Sequence, residues 1–154
     1  MKLQQLIHAE RVHFGLSASD VVSALKASAE IFSNDLGVPA DEIVRALVER
    51  EELGSTAVGH GFAIPHCKLQ GISEIYLAIA RFTNGVDFRA TDGKPVQMMF
   101  IVLSPPDQPA AHLQVLSQIA RVLKRNEFRE QLLRAGNEEE LVAAVRAAAE
   151  VEGL

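Results

Sequence analysis

Gly59-His60-Gly61-Phe62-Ala63-Ile64-Pro65-His66 is the stretch on which the reading of this chain turns. Its glycines mark a loop, and the apolar residues after them mark a short extended run. In an extended segment residues two apart share a face. Phe62, Ile64 and His66 therefore line one side, and Ala63 and Pro65 the other. Proline cannot donate to a sheet ladder, which predicts a strand that ends at Pro65 and releases His66 at a rim. An imidazole so placed is accessible, largely neutral near physiological pH and nucleophilic through a ring nitrogen. The plain alternative is a histidine packed at a strand terminus with its hydrogen bond satisfied.

The segments around it alternate in period. Ser19-Asp20 reads as a helix start, with Val21, Leu25, Ala29 and Phe32 at helical spacing and Gly37 as the stop. Pro39 opens a second helix whose buried stripe is Ile43, Ala46 and Leu47; one more turn brings Arg50 onto it. Ile75 to Phe82 and Met98 to Leu103 are nearly continuous apolar runs, the mark of strands buried on both faces. Asn84-Gly85 and Asp92-Gly93 read as turns between them. Pro105-Pro106-Asp107 is a rigid connector to a helix carrying His112, Leu116, Ile119 and Leu123 on one side. Asn126 to Ala135 forms a short helix stopped by Gly136. Asn137 and Glu140 have capping spacing for a last helix with Leu141, Val142 and Val145. The first fifteen residues fit no single period. Helices flank and follow strands, so the expected class is α/β with a small central sheet.

Two further side chains raise the interest of His66. His112 falls in the first turn of its helix, in line with the buried stripe. Unpaired N–H groups and the helix dipole there favour anions and a neutral imidazole. Arg50 falls in the last turn of its own helix, on the inward stripe. Taken singly, His112 reads equally well as a helix-start histidine meeting solvent, and Arg50 as a cation complementing a helix C-terminus. Together, a nucleophilic imidazole, a neutral imidazole and an arginine suit a phosphoryl group held on nitrogen. Transfer of that group needs mainly positioning and charge stabilisation.

Length and composition narrow the classes. The chain has 154 residues, 48% hydrophobic and 23% charged, with a net charge of -5. One domain spanning 1–154, with its core at about 19–149, is expected. The acidic balance disfavours nucleic acid as a partner. A single cysteine, Cys67, excludes an internal disulfide and points to a reducing, cytoplasmic compartment. The apolar runs are too short for membrane insertion, and no secretory signal is expected from the first residues. No phosphate loop or dinucleotide fingerprint is present, so no nucleotide cofactor is expected. His60, His66, Cys67 and His112 could supply zinc ligands in principle. If residues 60 to 66 are extended, however, His60 and His66 lie on the order of 20 Å apart, and His66 and Cys67 point in opposite directions. No metal is expected.

Gly61-Phe62-Ala63-Ile64-Pro65-His66, followed by His112-Leu113-Gln114-Val115-Leu116-Ser117-Gln118-Ile119-Ala120, resembles the enzyme IIA domain of the bacterial phosphoenolpyruvate phosphotransferase system, fructose/mannitol type. Glu49-Arg50-Glu51-Glu52-Leu53-Gly54-Ser55-Thr56 is similar to its nitrogen-regulatory branch. The resemblance spans Ser19 to Val145. It implies a small mixed central sheet sandwiched by helices. It implies that His66 is the phosphoryl acceptor, that His112 contacts the phosphoryl group or orients the first ring, and that Arg50 stabilises the phosphate charge. The implied donor is a phosphohistidine carrier protein, and the implied partners are regulatory proteins that respond to phosphorylation state. Two alternatives stay open: a sugar-specific enzyme IIA that passes phosphate to an enzyme IIB, and a binding module with vestigial phosphorylation. His60 stands where the family commonly has asparagine, and Cys67 where it commonly has glycine.

Overall fold

The two apolar runs form neighbouring antiparallel strands at the centre of the computed structural model, which describes residues 1–32 and 35–154. Two short 3-10 turns, Leu3–Leu6 and Ala9–Arg11, lead into β1 (Val12–Leu16). The chain continues through α1 (Val21–Glu30), α2 (Ala40–Glu52), β2 (Ala57–Gly59), β3 (Phe62–Ala63), β4 (His66–Lys68), β5 (Tyr76–Val86) and β6 (Val96–Ser104). Three helices close it: α3 (Pro109–Leu123), α4 (Asn126–Arg134) and α5 (Glu138–Val151). The sheet has six strands in the order β1-β5-β6-β3-β2, with β4 also paired to β6. β1 runs parallel to β5, and both β3 and β4 run parallel to β6; β5–β6 and β2–β3 are antiparallel. The expected mixed sheet between helices is the fold observed.

Strand periodicity divides the core in two. Leu77, Ile79, Met98, Phe100 and Val102 face one apolar layer with residues of α3, α4 and α5. Ala78, Ala80, Phe82, Met99, Ile101 and Leu103 face the other, with α1 and α2. Both faces are covered, which is why these runs are apolar without alternation. Caps set the helix starts where expected. Asp20 accepts from the Ser23 N–H at 2.8 Å, and Asn137 accepts from the Glu140 N–H at 2.8 Å. No helix among the described residues is long and apolar enough to cross a membrane.

Three expectations are corrected. α1 ends at Glu30, and Gly37, at φ 71°, lies in the connection to α2 rather than closing the helix. Asn84-Gly85 is no turn but part of β5, where the β5–β6 register shifts between Arg81 and Val86. Gly85 takes φ 72°, and a Cβ there would stand 2.9 Å from the Pro95 side chain, so the irregularity requires glycine. The third correction concerns Pro65. Phe62 pairs with Met98 and His66 with Val102, so β3 and β4 follow β6 in one unbroken register. The Pro65 carbonyl accepts from the Val102 N–H at 3.0 Å, and proline has no N–H to return. It leaves one gap in the ladder, and the strand resumes at His66 instead of ending there.

Leu47, 1% exposed, anchors α2 to the sheet. Leu47→Ala should destabilise the fold by about 2–5 kcal/mol in chemical denaturation. A loss below about 0.5 kcal/mol would contradict this packing.

Candidate functional site

Two helix ends and one edge strand meet at His66. The extended register from Phe62 to His66 puts Phe62, Ile64 and the His66 ring on the α3 side of the sheet, as the two-residue period predicts. β4 pairs only with β6, so its outer side is open. Arg50, in the last turn of α2, reaches this open edge. The Nε–H of Arg50 stands 3.2 Å from Nε2 of His66, and its Nη1 donates to the Gly54 carbonyl at 2.9 Å. The His112 ring also lies against the His66 ring, with centroids 5.5 Å apart and planes tilted by 55°. The structure thus brings His66, His112 and Arg50 together.

Hydrogen bonds assign the chemistry of the first ring. Nδ1 of His66 lies 2.7 Å from the Ile64 carbonyl oxygen. A carbonyl can only accept, so Nδ1 carries the proton of the neutral ring. Nε2 is then left with its lone pair, facing a donor on Arg50. Burial holds the His66 pKa below its ordinary value, helped by the Arg50 charge and opposed by the Ile64 bond and Glu51. The pKa of His112, 6% exposed, is lowered by burial first, then by His66 and Lys68. This corrects the cause expected from sequence: the His112 N–H already donates to the Gln108 carbonyl at 3.0 Å, so His112 sits just past the unpaired helix start.

Residues around the triad were not read from sequence. Glu51 receives the Thr56 N–H at 2.7 Å and the Thr56 hydroxyl at 2.6 Å. The Thr56 carbonyl receives the Ile64 N–H at 3.0 Å. Glu51 is adjacent to Arg50, and Thr56 immediately precedes β2, so this chain of bonds ties the end of α2 to Ile64, whose carbonyl holds His66. The signal available was an acid next to Arg50 five residues before a threonine, a weak one. Phe62 is fully buried and offers no surface to a docking partner. The exposed apolar residues beside the site are Leu53, 84% exposed and three residues past Arg50, and Leu113, 66% exposed and next to His112.

Of the four conceivable metal ligands, His66 and His112 meet, but His60 and Cys67 point away from them. Gly59, His60 and Gly61 all take positive φ, forming a tight turn pinned by the Asp92 carboxylate on the His60 N–H at 2.8 Å. His60 lines a groove of about 430 Å³ with Val58, Ser117, Arg121 and Lys124, towards the far end of α3 from His112. Cys67 faces the α1–α2 core, and burial pushes its thiol pKa up to about 12. Among the described residues no group of three His, Cys, Asp or Glu side chains could hold a metal ion.

A strand-borne imidazole with an unprotonated Nε2 thus stands beside a second neutral imidazole and an arginine. The pattern of the family described as phosphoenolpyruvate-dependent sugar phosphotransferase system, EIIA 2, matches residues 5–148, and the chain belongs to that family. It is 33% identical over 147 residues to a nitrogen regulatory protein of Bradyrhizobium diazoefficiens, covering 96% of this chain and 95% of that one. It is 41% identical over 118 residues to the fructose-specific EIIA component of Haloferax volcanii, covering 73% and 77%. The crystal structure of the nitrogen regulatory protein IIA-Ntr from Neisseria meningitidis superposes with a TM-score of 0.87 at 28% identity, covering 96% of this chain and 98% of that one.

Titration of both rings by heteronuclear NMR should give midpoints below the ordinary histidine value of about 6.5. A native state that binds protons less readily than the unfolded chain loses stability as pH falls below that value. Midpoints at or above it would contradict the burial described.

Proposed function

We propose that this protein accepts a phosphoryl group on Nε2 of His66 from a phosphohistidine carrier protein and regulates partner proteins by its phosphorylation state. The reading is carried by one observation: the Ile64 carbonyl occupies Nδ1 of His66 and leaves Nε2 unprotonated, its lone pair accepting only the Arg50 Nε–H. Kinship with nitrogen regulatory proteins along nearly the whole chain supports the regulatory part.

The step balances without a cofactor. The Nε2 lone pair of His66 forms the new N–P bond in line with the leaving group. The carrier's N–P bond breaks, and its electron pair returns to the carrier's imidazole. The proton on Nδ1 stays where the Ile64 carbonyl holds it. The Arg50 guanidinium, next to the incoming group, turns its donors from Nε2 to the phosphoryl oxygens and offsets their charge. His112 contacts the same oxygens. Leu53 and Leu113 flank the site with exposed apolar surface on which the carrier docks. The bound phosphoryl then presents added negative charge and strong acceptors to a regulatory partner.

The 41% identity to a fructose-specific EIIA component favours a second reading, transfer onward to an enzyme IIB. The same chemistry serves both, so the acceptor decides. Radiolabel chased from His66 to a purified enzyme IIB favours transport. Label that stays on His66, with partner affinity changed more than about twofold on phosphorylation (roughly 0.4 kcal/mol), favours regulation.

Incubation with the upstream carriers and phosphoenolpyruvate should add one phosphoryl by intact mass. His66→Ala should abolish it; labelling at full level would overturn the assignment. Arg50→Lys and His112→Ala should each slow the transfer by about 10- to 100-fold while leaving some, the scale of removing one group that stabilises transition-state charge. Initial rates by rapid quench measure this, and wild-type rates in both would remove the two from the site.

A further inference from the structure

The second ring carries a partner that the proposed transfer does not yet use. Ser104, the last residue of β6, is fully buried, and its Oγ lies 2.6 Å from Nδ1 of His112. Among the described residues Oγ has no other hydrogen-bond partner. β6 fixes the place of this hydroxyl. Its neighbour Leu103 pairs with Cys67 on β4 and with Tyr76 on β5, and the Ser104 carbonyl accepts from the Leu69 N–H at 2.8 Å, so the strand end is held on both sides.

Two arrangements of the protons are possible. In one, Nδ1–H of His112 donates to Oγ, and the buried hydroxyl proton has nowhere to go. In the other, the hydroxyl donates to a bare Nδ1, and every buried polar atom of the pair is satisfied. Buried donors without acceptors are strongly disfavoured, which selects the second arrangement. The ring is kept neutral by its burial, so only one of its nitrogens carries a proton.

We infer that Ser104 is a positioning residue: its hydroxyl donates to Nδ1 of His112 and so keeps the proton of that ring on Nε2, where it is available to a phosphoryl oxygen. The inference rests on the phosphoryl-acceptor reading of His66. It makes the two rings opposites. An acceptor, the Ile64 carbonyl, holds His66 with Nδ1 protonated and Nε2 bare, as a nucleophile requires. A donor, the Ser104 hydroxyl, holds His112 with Nδ1 bare and Nε2 protonated, as a stabiliser of developing oxyanion charge requires. Without Ser104 the two tautomers of His112 would interconvert freely. The form with a lone pair turned towards the phosphoryl oxygens would repel them.

The test reads tautomers directly by long-range 15N–1H correlation spectra of the full, unphosphorylated chain near neutral pH. Wild-type protein should show His66 protonated on Nδ1 and His112 on Nε2. Ser104→Ala removes only one buried oxygen. It should leave His66 unchanged, turn His112 into a mixture of tautomers and slow phosphoryl transfer to His66 about fivefold or more. Ser104→Thr, which keeps the hydroxyl, should restore the wild-type His112 signature. A wild-type His112 protonated on Nδ1 overturns the inference whatever the variants do. So does an unchanged His112 signature with an unchanged transfer rate in Ser104→Ala; if wild-type His66 still takes label, the acceptor reading survives that result. Failure of wild-type His66 to take any label is the separate outcome that removes the acceptor reading, and the catalytic use of Ser104 with it.

Discussion

A single hydrogen bond, 2.7 Å from Nδ1 of His66 to the carbonyl of Ile64, is the constraint on which the site depends. It links residues only two apart, so it costs little chain entropy to form. It orients the ring, fixes its tautomer and turns the lone pair of Nε2 outward. The carbonyl is itself held. Pro65 biases Ile64 towards extended backbone, and the Ile64 N–H is tied through the Thr56 carbonyl to the Glu51 carboxylate. A strained or mobile Ile64 would free the ring to flip and exchange its nitrogens. The proline seen first as a strand stop is better understood as the residue that sets the aim of this carbonyl.

The rest of the fold brings two groups, one charged and one neutral, to that lone pair. α2 packs on one face of the sheet and α3 on the other, and β4 is the open edge between them. The C-terminal turn of α2 supplies a permanent cation, and the first turns of α3 supply a neutral ring. A phosphoryl group carries negative charge, and an imidazolium at residue 66 could not attack it. For the transfer proposed above, the site needs one fixed positive charge together with two rings that stay neutral. Arginine satisfies the first need at any working pH, and burial satisfies the second. Burial also silences Cys67, whose side chain faces the opposite core beside the nucleophile.

Much of this was legible from the residues. Ile75 to Phe82 and Met98 to Leu103 announced central strands because both faces are covered, and that leaves apolar runs without alternation. His66, His112 and Arg50 could be chosen because each falls at the end of a recognisable element, on its inward side. What escaped was tertiary in origin. β1 is short and interrupted by Gly15, and the turns before it are pinned by the Gln118 side chain, which accepts from the Leu3 N–H at 2.7 Å and donates to the Met1 carbonyl at 2.8 Å. No local pattern encodes a bond across 115 residues. Asn84-Gly85 carries the signal of a turn, but the strand partner and Pro95 use the same glycine for an irregularity within β5. Nothing in the sequence singles out Ser104; only the packing of α3 against β6 shows that its hydroxyl meets His112. The tautomers, which decide the chemistry, depend on a backbone carbonyl and a buried hydroxyl, and neither leaves a motif.

The central claim is that the Ile64 carbonyl makes Nε2, and not Nδ1, the phosphoryl-accepting atom of His66. The most direct measurement is 15N and 31P NMR of the phosphorylated chain with labelled histidine. The account predicts phosphorus coupled to Nε2 of residue 66, with a proton retained on Nδ1. Phosphorus on Nδ1, or on any other residue, would contradict it.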